Sequence, residues 1–133
     1  MNISLAVLKR NISGEAVRET LGLADEPSKF GAAVYSGPDW WAYTCVEESV
    51  GQLEAMVLHL SRLIEPRLGR VEALVHSGHS VEVAVAGTTE TGDVLLLSPE
   101  ALESLAVLKL PVSFTTLSVS GAPEEDPLAF LDE

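Results

Sequence analysis

The sequence predicts an α+β domain, one mainly antiparallel sheet with helices on one face. Three observations predict it. Segments that alternate apolar and polar residues with a period of two are interleaved with segments whose apolar residues recur every three or four positions. Two of the extended segments are joined by a turn too short for a helical crossover, which makes that pair antiparallel. The helical segments begin at Ser-type caps and end near Gly or Pro, so their limits are written locally.

Residues 2–9 open the fold as a strand with Ile3, Leu5 and Val7 on one face. Ser13 is placed to cap a short helix in which Val17 and Leu21 lie four apart, and Gly22 is suited to close it. Residues 23–29 hold Asp25, Glu26, Pro27 and Ser28 and read as loop. Ala32 to Tyr35 and Trp40 to Val46 form a hairpin about the turn formers Ser36, Gly37, Pro38 and Asp39. Its return strand puts Trp40, Ala42, Thr44 and Val46 on one face and Trp41, Tyr43 and Cys45 on the other.

Ser49 and Gln52 have the spacing of a capping box for the longest helix. Its stripe runs through Val50, Leu53, Met56, Val57, Leu60, Leu63 and Ile64, and Pro66 ends or kinks it, with a further turn over 71–75. Ser80 to Ala86 alternates with Val81, Val83 and Val85 on one face. After a turn at 87–92, the apolar run Val94 to Leu97 reads as a short central strand. Ser98, Pro99 and Glu100 then start a helix that turns Leu102, Leu105 and Leu108 inward. Pro111 ends it, and 112–119 is the last strand. The expected core is Val17, Leu21, Leu53, Met56, Val57, Leu60, Val81, Val83, Val85, Leu96, Leu102 and Leu105.

The order is β-α-β-β-α-β-β-α-β. Its first six elements make a ferredoxin-like unit, extended by a further β-α-β. A single α+β domain over residues 1–120 is followed by an acidic C-terminal tail, 121–133, with five acids and no base. A chain of 133 residues with 47% hydrophobic and 21% charged residues fits one globular domain.

Twenty acids against eight bases give a formal charge of −12. That balance excludes a phosphate-backbone footprint and argues against a nucleic-acid partner. No apolar run reaches membrane-spanning length, and Lys9 and Arg10 follow the first apolar stretch where a signal peptide would carry them before it. One cysteine, Cys45, precludes an internal disulfide, so a reducing, cytoplasmic setting is expected. His76 and His79 have the spacing of two metal ligands, but zinc needs three or four and the helical H-E-x-x-H pattern is missing. Cys45 stands beside Glu47 and Glu48, the wrong setting for a thiolate nucleophile. No cofactor motif and no catalytic set emerges, and no enzyme is expected.

Several features in order resemble a known family. They are Ile12-Ser13-Gly14-Glu15 opening a helix that closes on Leu21-Gly22-Leu23, the Gly37 to Trp40/Trp41 turn and strand, the long helix reaching Leu63-Ile64-Glu65-Pro66-Arg67, and Leu97-Ser98-Pro99-Glu100-Ala101-Leu102. Over residues 2–119 the chain resembles the uncharacterised bacterial domain-of-unknown-function family numbered 4279. That family brings no catalytic residues. Small bacterial families of this kind imply an immunity protein, a protein that neutralises a toxin.

The expected function is thus a non-enzymatic protein-binding module, an immunity-type inhibitor whose acid excess would suit a basic toxin. Asp39, Trp40, Trp41, Glu47 and Glu48 are the candidate partner contacts, since one of the two indoles must leave the core face. The alternative is a small-ligand-binding or regulatory homodimer using an open sheet face of Ala42, Ala84 and Ala86.

Overall fold

A computed structural model describes residues 2–23, 30–47, 52–88 and 97–117. Strand β1 (Asn2–Leu8) leads to α1 (Gly14–Leu21), then to the hairpin β2 (Gly31–Gly37) and β3 (Trp40–Val46). Helix α2 (Leu53–Ile64), a 3-10 turn (Glu65–Arg67) and α3 (Leu68–His76) precede β4 (Ser80–Thr88). Helix α4 (Pro99–Leu108) and β5 (Val112–Leu117) complete the set. The sheet is open, in the order β2-β3-β1-β4-β5. Every pair is antiparallel except β4 with β5, which α4 joins as a parallel crossover. The fold is α+β. Its first four strands have the ferredoxin-like arrangement, and α4 and β5 extend it from β4.

The core forms on the helix side. Ile3, Leu5 and Val7 stand beside Cys45, Tyr43 and Trp41 on one flank and Val85, Val83 and Val81 on the other. All nine are buried against Val17, Leu21, Met56, Val57 and Leu60. The expected core residues agree at every described position except Leu102, which is 52% exposed. Helix α4 buries Ala101, Leu105 and Leu108 instead, so its inner line starts at a small residue. Leu96 lies outside the described residues.

Local chemistry sets the element ends. The Ser13 hydroxyl accepts the Ala16 N–H at 3.3 Å, and that of Ser98 accepts the Ala101 N–H at 3.1 Å. Ser98 also donates to Glu54, tying the start of α4 to that of α2. Gly22 ends α1 at φ 66. The Leu21 carbonyl freed there accepts Arg67 Nε at 2.8 Å, and Arg67 Nη1 reaches the Leu63 carbonyl at 2.8 Å. One guanidinium thereby joins the C-terminal ends of α1 and α2.

Four expectations need correction or restriction. Helix α2 begins at Leu53, with Gln52 as its N-cap and no side-chain cap bond. Ser49 lies outside the described residues. The turn expected over 71–75 is a nine-residue helix. Pro66 permits this because it sits in the first positions of the 3-10 turn, where a missing N–H removes no helical bond. The strand expected at 94–97 lies outside the described residues apart from Leu97, and the central strand is β1. The tail at 121–133 is likewise outside them.

Candidate partner-binding face

All four helices lie on the core side of the sheet, and among the described residues no element covers the other side. Strand alternation decides what that open face presents. Trp41 shares its parity with Tyr43 and Cys45 and is 1% exposed, in the core. Trp40 faces the opposite way and is 41% exposed. Register puts it beside Leu8 on β1 and Gly37 on β2. Gly37 is needed there, because a Cβ at that position would stand 2.9 Å from both Cδ1 and Cε2 of the Trp40 ring. The indole therefore packs over the glycine backbone, a cross-strand arrangement that shields a bare strand position.

Around Trp40 the face is apolar at its margins and small at its centre. Tyr35, 52% exposed, pairs across from Ala42, whose other neighbour is Ala6. Leu8 and Val46 are also exposed. Ser4 and Thr44 are cross-strand partners joined through their hydroxyls at 2.8 Å, so their buried polar atoms are satisfied without charge. Glu82, half-buried opposite Ala6, puts a carboxylate among these small residues. Ala42, Ser4 and Thr44 at the centre are buried, so what this face presents is its exposed margin of Trp40, Tyr35, Leu8 and Val46, unlike the solvated charge mosaic of an ordinary surface.

The five candidate contacts do not form one patch. Trp40 is on the open face, whereas Trp41 is corrected to a core residue because strand parity turns it under the helices. Asp39 is held by the fold: its carboxylate accepts the Asn11 N–H at 3.0 Å and its carbonyl accepts the Lys9 N–H at 3.1 Å. These bonds secure Asn11, which has φ 57. Glu47 lies past the far end of β3, and its carboxylate accepts the Gln52 N–H at 3.2 Å. Asp39 and Glu47 flank a seven-residue strand, so roughly 26 Å separates them. Glu48 lies outside the described residues. Tyr35, Leu8 and Glu82 complete the face and were missed. The signal for Tyr35 was present: in a hairpin turning on two residues, positions 35 and 42 are partners, so Tyr35 shares the face of Ala42 and Trp40.

The other candidates are dispersed. His76 ends α3, exposed, with Nε2 3.7 Å from Glu72, while His79 Nδ1 bonds the Leu74 carbonyl at 2.9 Å beyond Gly78. Cys45 is buried in the core, and His59 meets the Phe30 ring edge-on with centroids 5.5 Å apart. Among the described residues no group of three or more His, Cys, Asp and Glu side chains is placed to hold a metal, and no helix is long and apolar enough to cross a membrane. Comparison of the chain with protein-family models, with curated proteins and with solved structures returns no match.

Proposed function

We propose that this chain is a non-enzymatic protein-binding module, working in the cytoplasm, that holds a basic protein partner on the open face of its sheet. The observation that carries the reading is Trp40, an exposed indole packed over Gly37 beside exposed Leu8 and Tyr35. Aromatic side chains lose little freedom on binding and dominate contact energies. The net charge of −12 favours a cationic partner and would speed its approach. An immunity-type inhibitor of a basic bacterial toxin is the specific form proposed, in keeping with the resemblance to the family numbered 4279.

A test is capture from the native cell with wild-type, Trp40→Ala and Tyr35→Ala baits, each eluted in rising salt. A partner held at low salt and lost with Trp40→Ala supports the reading. A partner held equally by all three baits and indifferent to salt contradicts it.

A further inference from the structure

Strand β2 is an edge of the sheet, and among the described residues it pairs with β3 alone. An edge strand turns the N–H and C=O of every second residue outward, and proteins usually blunt such an edge with lysine, proline or a bulge. Here Gly31-Ala32-Ala33-Val34-Tyr35-Ser36-Gly37 has no charge and no proline, and its ladder to β3 runs unbroken from Gly31 to Gly37. Beside it lies a groove of about 570 Å³. Helix α1 packs over β3 and leaves the inner side of β2 as the groove's floor, with Val34 and Ser36 below and Glu15, Arg18 and Glu19 on the wall. The start of α1 lies close over this floor: a Cβ at Gly14 would make ordinary van der Waals contact, 3.5 Å from Trp41 Cδ1 and 3.6 Å from Ser36 Cβ.

We propose that β2 and this groove form a strand-addition site for an extended cationic peptide segment of a protein partner. The added strand would lie about 4.8 Å outside β2 and take its backbone hydrogen bonds from it. Alternate side chains would enter the groove, an apolar one on Val34 and a lysine or arginine against Glu15 and Glu19. The preference for a cationic segment comes from those two carboxylates, one helical turn apart, which outweigh the single guanidinium of Arg18 on the same wall, and from the net charge of −12. The site uses the free edge and inner side of β2, whereas Trp40 packs on the outer side of that strand at Gly37. It rests on the reading of the chain as a protein-binding module and names a second element of what that module grips.

The probe is a fluorescein-labelled heptapeptide of alternating valine and lysine, titrated by polarisation and by amide chemical shifts of the full chain. Saturable binding that shifts the amides of 31–37 is expected. Methylating alternate peptide nitrogens should weaken it at least tenfold, as should glutamate in place of lysine. The exposed pair Glu15→Lys with Glu19→Lys should also weaken it at least tenfold without changing the circular dichroism, whereas Trp40→Ala should leave it unchanged. No binding up to millimolar peptide, or binding that bypasses the amides of 31–37 or survives nitrogen methylation, overturns the site. A concentration-dependent dimer in sedimentation that protects those same amides also overturns it, in favour of pairing between two copies. Failure of the peptide with a Trp40-dependent partner retained would remove this site alone. Peptide binding with no Trp40-dependent partner would remove the open-face reading alone.

Discussion

The two faces of the sheet carry residues that are neighbours in sequence and opposite in environment. On the helix side, Leu5, Val7, Trp41, Tyr43 and Val83 are closed beneath α1 and α2. On the other, Ala6, Ala42 and Ala84 alternate with them along the same strands, and the larger groups, Trp40, Tyr35 and Leu8, stand exposed at the margin. Trp40 and Trp41 show the contrast in one peptide unit. The chemistry of tryptophan is the same in both, so strand parity alone assigns one to the core and the other to the surface. A residue type is therefore weak grounds for function until its face is known.

Mutations that break the helix-covered side should have the larger effect on stability. Leu60→Ala removes a 1%-exposed side chain from α2 and should cost about 2–5 kcal/mol in urea unfolding. A loss under about half a kilocalorie would mean that α2 presents another face. Arg67→Ala should cost about 1.5–3 kcal/mol, because it takes the guanidinium from the Leu63 carbonyl and leaves the Leu21 carbonyl only the longer 3.4 Å bond from Arg70 Nη1. Thermal unfolding of Arg67→Ala against Arg67→Lys would sharpen this, since an ammonium lacks the fork that reaches two helix ends. Ser98→Ala should cost about 0.5–2 kcal/mol by uncapping α4, read as loss of stability in urea with the fold retained. Leu102→Ala should fall within about 0.5 kcal/mol, because that side chain is exposed where a leucine stripe suggested a core position.

Much of the fold was legible because it is written in local terms. The Pro38-Asp39 turn, the caps at Ser13 and Ser98 and the valines of β4 each act within a few residues. Three features were hidden for identifiable reasons. The inner line of α4 begins at Ala101, and a count of large apolar side chains passes over alanine in favour of Leu102. Helix α3 buries only Val71 and Leu74 and follows a proline, so its pattern is thin. Asp39 looked like a steering charge because its bonds to the Lys9 and Asn11 backbone cross a sequence distance that periodicity does not see. The candidate site was legible to the level of one tryptophan in a pair. Its other members, Tyr35, Leu8 and Glu82, come from three strands and meet only through the register.

The measurement closest to the central claim is equilibrium unfolding of Trp41→Ala and Trp40→Ala side by side. If one face is core and the other is surface, Trp41→Ala should cost about 3–5 kcal/mol. Trp40→Ala should lose only its cross-strand packing on Gly37, about 0.2–1 kcal/mol. Equal losses of several kilocalories would contradict the account, because Trp40 would then belong to a second interior and could not serve as the partner's anchor.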